Sequence, residues 1–412
     1  MVLNYIWAGF FLIAMVVALV KYIFFQDVTI FETLVAGIFE SAKTGFEISL
    51  SLTGIMTLFL GILKIGEEAG AIRFLSRIVG PFFVKLFPEV PKDHPALGQI
   101  IMNFSANMLN LDNAATPFGL KAMESLQSLN PSKDTASNAQ IMFLVLQTSG
   151  LTIIPINIMT YRASMGAADP SDIFMPLLIS TFFATLLSLI VVMLKQNIKI
   201  WDKTILTWLG GITAVVLLLL WYLSGLSQPE MEQFSKVYSN LILFGIIVLF
   251  IGGGLWKKID VFDTFITGAK EGFTVVVKII PYLVGMLVAI SVLRDSGVLN
   301  FITDSIALGV AALGFDTRFV EALPVAIMRP LSGSGARGLM LEAMSPENGG
   351  PDSFVGRLVC IFQGATDTTF YIIALYFGSV GITKVRYAIQ YGLFADFVGV
   401  IAGILIGYMF FA

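Results

Sequence analysis

The sequence predicts an all-α polytopic membrane protein with two inverted repeats, re-entrant helical hairpins and broken transmembrane helices. Three observations support this prediction: the composition, an internal repeat, and polar stretches that interrupt apolar segments. Of the 412 residues, 57% are hydrophobic and only 13% are charged, and the mean hydropathy is +0.86. A soluble domain is about a quarter charged, so this composition is typical of a chain that lies in lipid.

Residue counts argue against several functional classes. The one cysteine, Cys360, excludes a disulfide within the chain, and the one histidine, His94, excludes a pair of histidine ligands. His94 lies in a turn-like Pro-Lys-Asp-His-Pro stretch, which favours a surface turn. No basic cluster occurs, so we expect no nucleic-acid partner. Gly333-Ser334-Gly335 has no histidine near it, so we expect no enzymatic activity.

Apolar segments long enough to cross a bilayer recur along the chain. The first, Ile6–Phe25, has no basic leader and no small-residue cleavage site, and is interpreted as a retained transmembrane helix. The other uninterrupted spans lie near Ile48–Leu63, Ile173–Leu194, Ile205–Leu223, Leu241–Trp256, Ile279–Leu293 and Ala388–Phe411.

An internal repeat divides the chain. Glu40–Phe46 resembles Thr267–Phe273, and each precedes an apolar run. Further on, Asp134 of the first half aligns with Asp352 of the second, and Thr148-Ser149 aligns with Thr366-Asp367. Each half therefore carries one unit of roughly 150 residues. The predicted parts are an N-terminal transmembrane helix (1–28), a first repeat (29–197), two linking helices (198–260) and a second repeat (261–412).

The predicted orientation of the two repeats is opposite, because about five crossings separate their starts. Positive charge agrees with this prediction. The amphipathic stretch of the first repeat holds Arg73, Arg77, Lys85 and Lys92, whereas the equivalent Leu299–Asp316 holds no Lys or Arg. The predicted spans give about nine crossings. Since Lys and Arg accumulate on the cytoplasmic side, we predict a cytoplasmic N-terminus and an external C-terminus. The predicted location is the bacterial plasma (inner) membrane.

Four polar stretches lie inside apolar surroundings. They are Asn103–Pro117, Leu146–Asn157, Arg329–Gly338 and Gln363–Phe370. Irregular backbone at membrane depth is tolerated only where protein buries it or where it lines a cavity. Paired interruptions in two inverted halves indicate the binding site of a transporter.

The first repeat contributes a hairpin and an interrupted helix. Asn103, Asn107 and Asn110 share a helical face, while Asp112, Asn113 and Thr116 lie at a turn before a returning helix that begins near Pro117. This pattern favours a re-entrant hairpin over a solvated loop. Gly150 and Pro155 interrupt the next span beside Thr148 and Ser149. The alternative there is a kinked helix whose hydroxyls bond to the preceding turn.

The second repeat contributes charged side chains to the predicted site. Ser332 and Ser334 lie in a glycine-rich stretch that can form a nest of backbone amides, and Arg329 and Arg337 beside it favour an anion site. Alternatively, Arg329 pairs with a carboxylate of the other repeat. In the fourth stretch, Asp367 is a carboxylate within a span, which indicates function by default. The alternative is an Asp–Arg pair that only holds the fold.

Longer motifs resemble the spore maturation protein A and B family, here fused in one chain. Motifs similar to the A protein are Phe87–Gly98, Asn113–Met123 and Asn130–Asn138, and those similar to the B protein are Met328–Ala336, Gly350–Phe354, Thr366–Tyr371 and Tyr376–Gly381. This family belongs to the wider group with the nucleoside recognition, or Gate, domain. The resemblance implies an architecture similar to that of concentrative nucleoside transporters, which hold substrate between two inverted hairpins and two unwound helices. It implies no particular substrate.

The leading interpretation is an ion-coupled secondary active transporter of a small polar or anionic solute, with a nucleoside-like solute among the options. The predicted substrate-binding residues are Asn103, Asn107, Asn110, Asn113, Thr116, Thr148, Ser149, Arg329, Ser332, Ser334, Arg337, Gln363, Thr366 and Thr368. Asp112 or Asp367 would couple H⁺ or Na⁺, and no metal site or other cofactor is expected. The expected partners are the solute, the lipid bilayer and further copies of the chain. The alternative function is a non-transporting membrane scaffold or sensor in envelope or spore maturation.

Overall fold

The regular secondary structure of the chain is helical. The computed structural model describes residues 2–412, without the side chains of residues 2–4, 112 and 113. Within those residues the only β-type pairing is one isolated bridge between Thr135 and Lys384. The all-α prediction is therefore confirmed.

Ten helices make up the chain as far as the second linking helix. They are α1 (Val2–Phe25), α2 (Ile30–Ala69), α3 (Ala71–Leu86), α4 (Pro95–Met108), α5 (Asp112–Leu129), α6 (Asn138–Ser149), α7 (Ile156–Ser164), α8 (Phe174–Lys195), α9 (Lys203–Ser224) and α10 (Gln228–Trp256).

Seven α-helices follow, together with short 3₁₀ turns at Arg318–Ala322 and Pro346–Asn348. The helices are α11 (Val261–Asp295), α12 (Val298–Ala312), α13 (Leu323–Met328), α14 (Gly333–Ala343), α15 (Phe354–Ala365), α16 (Thr369–Ser379) and α17 (Ala388–Phe411).

Eight helices in the described part of the chain are long and apolar enough to cross a membrane, with α15 and α16 together forming one of them. The protein is thus a multi-pass membrane protein. The sequence prediction of about nine crossings also includes α6 and α7, which are interrupted and too short to qualify separately. The apolar side chains of α1, α9 and α10 are mostly exposed, as expected for surfaces in contact with lipid.

Elements of the same kind recur in the same order in the two halves. A long helix, a short helix, a hairpin, an interrupted helix and a final span run from α2 to α8 and again from α11 to α17. The two long helices, α2 and α11, pack closely through glycines: Gly45 meets Val284, and Gly61 meets Phe265. Because numbers rise along one helix as they fall along the other, the pair is antiparallel. Small residues at such an interface allow the two backbones to approach each other.

The interrupted helices occupy the centre of the bundle. Every residue of α6 from Ala139 to Ser149 is buried, and α15 is buried along most of its length. Ser137 caps α6 by accepting from the Gln140 amide, and Ser353 caps α15 by accepting from the Gly356 amide. These caps satisfy amides that the first helical turn leaves without partners. The final spans α8 and α17 pack against both interrupted helices.

Candidate functional site

The first hairpin, α4–α5, brings its tip to the interruption in the same half. Asn110 lies at the tip in a left-handed conformation, with φ of +58°, which asparagine tolerates better than most residues. The helical face predicted for Asn103, Asn107 and Asn110 is therefore wrong at Asn110, because α4 ends at Met108, and the returning helix begins at Asp112 rather than near Pro117. Asn110 Oδ1 accepts from the backbone amide of Asn157 at 3.3 Å, and the Met108 carbonyl accepts from the Ile153 amide at 2.9 Å. The hairpin tip is thereby bonded to the backbone between α6 and α7.

The interruption between α6 and α7 starts at a glycine. Gly150 has φ of +59°, a conformation that ends the helix and that other residues rarely adopt. The hydroxyls of Thr148 and Ser149 donate back to the Val145 and Leu146 carbonyls, at 3.1 and 3.3 Å. Both side chains are buried behind the cavity wall rather than on it.

The second hairpin, α13–α14, contacts its own interruption through Arg329. Arg329 Nε and Nη2 donate to the Thr366 carbonyl, at 2.9 and 2.5 Å, and Nη1 donates to Thr368 Oγ1 at 3.4 Å. The Pro330 carbonyl accepts from the Phe370 amide at 3.1 Å. The guanidinium therefore lies at the carbonyl end of α15, where a cation is favoured by the helix dipole.

The serines of the second hairpin have local roles. Ser332 caps α14 by accepting from the Gly335 amide at 3.0 Å, and its hydroxyl lies 3.3 Å from that of Ser334. Neither serine lines the cavity described below.

The two interruptions meet each other. The backbone amide of Asp367 donates to the Thr148 carbonyl at 2.8 Å. The Asp367 side chain is about half exposed, and its Oδ1 lies 3.6 Å from Arg329 Nη2. Arg329 thus pairs with a carboxylate of its own half, Asp367.

A cavity of about 170 Å³ lies where the hairpin tips and the interruptions come together. Seven predicted site residues line it: Asn107, Asn110, Arg329, Arg337, Gln363, Thr366 and Asp367. A second cavity of about 260 Å³ is lined partly by the same residues, Asn110, Asn157, Tyr161 and Arg337, and extends to Lys64, Glu67 and Glu271. The two cavities are therefore neighbours that share a wall.

The remaining predicted residues lie elsewhere. Asn103 is fully buried and donates to the Ala115 carbonyl at 2.8 Å, which ties α4 to α5. Thr116, on α5, and Thr368 are not on the cavity wall. The side chains of Asp112 and Asn113 lie outside the described residues.

Gln147 is a wall residue that the list of predicted site residues does not contain. It accepts from Asn107 Nδ2 at 2.6 Å and donates to Asn103 Oδ1, so that three amides form a chain between α4 and α6. Gln147 precedes the end of α6 by two residues, and Gln363 precedes the end of α15 by two residues. A glutamine stands at the same position before each interruption, and this match in the sequence could have identified Gln147 as a site residue.

This helix register corrects the residue pairing expected from the sequence. Both α6 and α15 are 12 residues long and start after a serine cap, so Ser149 corresponds to Ala365. Matching Thr148-Ser149 with Thr366-Asp367 is wrong by two residues. The slip is already present where Asp134 was matched with Asp352, because Asp134 precedes its serine cap, Ser137, by three residues and Asp352 precedes Ser353 by one.

Two of the described wall residues each have a buried polar atom without a hydrogen-bond partner: Nε of Arg337 and Oε1 of Gln363. The Arg337 guanidinium stacks over the Tyr161 ring at 5.2 Å. Unpaired buried polar atoms are costly, and both residues line the cavity. Arg337 offers a charged donor to a carboxylate or carbonyl, and Gln363 offers an acceptor to an N–H or O–H group.

One polar residue that the sequence analysis did not mention lies directly behind the second interruption. Asp396 on α17 is 5% exposed, and its Oδ2 accepts from Thr369 Oγ1 at 2.6 Å. A carboxylate inside an apolar span is itself a functional signal, and it was available in the sequence.

An ion-pair cluster joins the two halves at one end of the interrupted helices. Arg162, at the end of α7, is fully buried and lies 2.8 Å from Asp172 and 3.0 Å from Asp352. Arg357 on α15 donates to Asp172 at 2.7 Å. The cluster fixes the end of α7 against the start of α15.

The opposite end is joined by a pair of loops. The Lys384 amide donates to the Asp134 carbonyl at 2.9 Å, and Tyr387 donates to Asn138 Oδ1 at 2.9 Å. The Lys384 ammonium, at 2.7 Å, and the Thr135 hydroxyl hold the pKa of Asp134 below its usual value. The start of α6 is thus fixed against the segment that follows α16.

Within the described residues, no group of three or more His, Cys, Asp or Glu side chains could hold a metal ion. His94 caps α4 by accepting from the Ala96 amide at 3.3 Å.

Comparisons with known proteins identify the family. The model of the nucleoside recognition (Gate) family matches residues 49–168 and again residues 276–383. The chain is 44% identical over 171 residues to spore maturation protein B of Bacillus subtilis, a match that covers 40% of this chain and 93% of that protein. It is 37% identical over 188 residues to spore maturation protein A of the same bacterium, covering 46% of this chain and 92% of that protein. No solved structure matches the chain.

The family prediction is confirmed, because two matches of one model cover more than half of the chain, and each relative is matched along almost its whole length. The chain is therefore a multi-pass membrane protein that belongs to the nucleoside recognition family and is related to both spore maturation proteins A and B.

Proposed function

We propose that this protein is a secondary active transporter of a small polar or anionic solute, driven by an ion gradient. The observation that carries the proposal is the polar cavity between the two interruptions, whose wall includes Arg337 and Gln363, each with a buried atom that lacks a partner. Helix interruptions in a membrane are costly, and a scaffold has no need of two that meet around a polar space.

An inverted relation of the two halves is part of this proposal. It is supported by the antiparallel packing of α2 and α11. It is also supported by the ends of the interrupted helices, since the start of α6 lies beside the end of α16 and the start of α15 beside the end of α7. Inverted repeats with a site at their junction are typical of alternating-access transporters.

The proposed orientation follows from the charges. Lys133, Lys384 and Arg386 lie with one aspartate, Asp134, at the end where α6 starts, whereas the other end carries Asp169, Asp172 and Asp352 against Arg162 and Arg357. Because cytoplasmic loops are enriched in Lys and Arg, the first end is assigned to the cytoplasm. This gives a cytoplasmic N-terminus and an external C-terminus in the plasma membrane of a bacterium.

The proposed closed gate is on the external side. The Arg337–Tyr161 stack and the Arg162 cluster lie between the cavity and that end, since Tyr161 and Arg162 are adjacent on α7. The second cavity extends instead to Lys64, Glu67 and Glu271, whose helix ends are assigned to the cytoplasm. The described conformation therefore corresponds to an inward-facing state.

The proposed solute is small and carries hydrogen-bonding groups at two ends. A cavity of about 170 Å³ is smaller than those that hold drug-sized ligands, which are about 300–1,000 Å³. Arg337 would bind an anionic or carbonyl group, while Gln363, Asn107 and Asn110 would bind hydroxyl or amide groups. Nucleosides, amino acids and small hydroxycarboxylates fit this description.

A thermal-shift screen of the purified chain against these three classes tests the proposal. A bound solute raises the unfolding temperature by mass action, and the shift should vanish in Arg337→Gln and Gln363→Leu. Arg318→Gln is the matched control, because Arg318 is on an exposed turn away from the cavity. A hit is then tested for uptake into proteoliposomes under H⁺ or Na⁺ gradients. A compound that binds at these residues but never crosses the membrane would contradict transport.

A second candidate function is a non-transporting scaffold or sensor in envelope or spore maturation. The names of the two Bacillus relatives favour it. Under this function a solute bound at Arg337 would alter a partner interaction without being moved. Solute binding without uptake under any gradient would support this alternative over the transporter.

A further inference from the structure

Asp396 occupies a site formed by α17 and the second interruption. Gly392, Asp396 and Gly399 share one face of α17, because they are four and three residues apart. Side-chain carbons of Thr369 and Thr366 lie against the two glycines, where no Cβ would fit. The two glycines bring α17 against the interrupted backbone and insert the carboxyl group of Asp396 between them.

The carboxyl group has one satisfied oxygen and one that lacks a partner. Oδ2 accepts from Thr369 Oγ1 at 2.6 Å, while Oδ1 is buried without a hydrogen-bond partner. The residue is 95% buried, with 5% exposed. A carboxylate in such a position is costly because its charge is neither hydrated nor fully hydrogen-bonded.

Among the described side chains, the charged groups that face Asp396 are Arg329 and Asp367, which act on it with opposite signs. Arg329 is bonded to the Thr366 carbonyl and lies near Asp367. Helices α6 and α8 carry no titratable side chain apart from Lys195 at the end of α8. The other titratable groups on helices packed against α17, and on α17 itself, are Arg357, Cys360, Tyr371, Tyr376, Glu230, Glu232, Lys236, Tyr238, Tyr391 and Tyr408.

A proton suits this site better than a metal cation. Na⁺ needs several oxygen ligands, whereas the hydroxyls beside the Asp396 carboxyl group are only those of Thr369 and Thr366 among the described side chains, and Oδ1 has no hydrogen-bond partner. The Arg329 guanidinium also repels a second cation. A proton on Oδ1 needs no further ligands and removes the buried charge.

We propose that Asp396 is a proton-binding site, in which Oδ1 exchanges a proton with the cavity past Thr366, a residue of the cavity wall whose methyl group packs against Gly399 of α17. In the transporter proposed above, on which this role rests, Asp396 would be the residue that couples solute movement to the proton gradient. Asp367, the residue expected from the sequence, is half exposed on the cavity wall and lies beside Arg329, whereas Asp396 is enclosed. Loading and unloading of Asp396 would change the charge beside Arg329, which links the hairpin tip to the interruption.

Labelling with dicyclohexylcarbodiimide tests the site without any solute. This apolar reagent adds to a protonated carboxyl group in an apolar environment, and the modified peptide is identified by mass spectrometry. We expect Asp396 to be labelled in the purified full chain, with labelling falling about tenfold per pH unit above its midpoint. Labelling should be equal in sodium and choline buffers. Suppression by sodium would overturn the proton assignment in favour of a cation site.

Two variants make the labelling decisive. Asp396→Asn should fold, since an amide has the shape of a protonated carboxyl group, and it should lose the labelled peptide. Asp367→Asn should keep it. Absence of labelling at Asp396 at every pH, in a preparation where another carboxyl group reacts, would overturn the proposal.

Transport assays then separate the two proposals. If a solute is transported, Asp396→Asn should abolish the dependence of uptake on the proton gradient, and unchanged dependence would overturn the coupling role. If labelling follows the expected pH dependence but no solute is moved, the transporter proposal fails while the proton site stands.

Discussion

Replacement of Arg162 tests the ion-pair cluster that joins the two halves. Arg162→Met removes a fully buried guanidinium that lies 2.8 Å from Asp172 and 3.0 Å from Asp352. It also removes the donor to the Pro351 carbonyl. Asp172 keeps its partner Arg357 at 2.7 Å. Asp352 loses its arginine partner, so the substitution breaks the Arg162–Asp352 pair and leaves the Arg357–Asp172 pair intact.

We expect Arg162→Met to lower the free energy of unfolding substantially. Removal of one partner from a buried ion pair costs about 3–5 kcal/mol, because the other charge remains without compensation. Partial exposure of Asp352, 37%, places the value toward the lower end of that range. Arg162→Lys should lose less, since the charge is kept while the fork that reaches two carboxylates is lost.

Thermal unfolding of the purified protein in detergent, followed by intrinsic fluorescence, gives the measurement. Arg318→Met is the control, because Arg318 also pairs with an aspartate, Asp316, at 2.8 Å, but is 52% exposed. Exposed pairs contribute little. The expected order of destabilisation is Arg162→Met, then Arg162→Lys, then Arg318→Met. Equal losses for Arg162→Met and Arg318→Met would refute the reasoning that burial makes this cluster important.

Three further predictions concern the interruption, the long helices and the loops. Gln147→Leu should cost about 1–3 kcal/mol in thermal unfolding, since it removes the partner of Asn103 Oδ1 and of Asn107 Nδ2; an unchanged midpoint would contradict this. Gly272→Ala should destabilise the protein because its Cβ would lie 2.8 Å from the Thr57 backbone, whereas Gly54→Ala, with open space around it, should be neutral or stabilising. The lowered pKa of Asp134 makes its pairing with Lys384 stabilising above the unfolded pKa and ineffective as pH falls through the folded pKa. Asp134→Asn should therefore flatten the loss of thermal stability below about pH 4, and an unaltered acid limb would count against this pairing.

The sequence determined the features that depend on local chemistry. The apolar spans, the serine caps of α6 and α15, and the interruption at Gly150 follow from residue type and spacing over a few positions. Each of these features needs only neighbours along the chain, which is why motifs and hydropathy were enough to predict the fold class and the family.

The tertiary structure decided which side chains face the cavity. Helix α6 is buried on all sides, so no amphipathic pattern marks the face that carries Gln147 rather than Thr148 or Ser149. Arg329 and Arg337 flank one glycine-rich stretch, yet Arg329 bonds to the Thr366 carbonyl and Arg337 stacks on Tyr161 of the other half.

The environment of Asp396 was also decided by tertiary packing. Its significance depends on Gly392 and Gly399, which bring α17 against an interruption in a different helix. From the sequence alone, the composition and the motifs determined that this protein is a helical membrane protein of the nucleoside recognition family. Only the approach of distant segments, which hydrophobic periodicity does not encode, decided which polar groups share the central cavity.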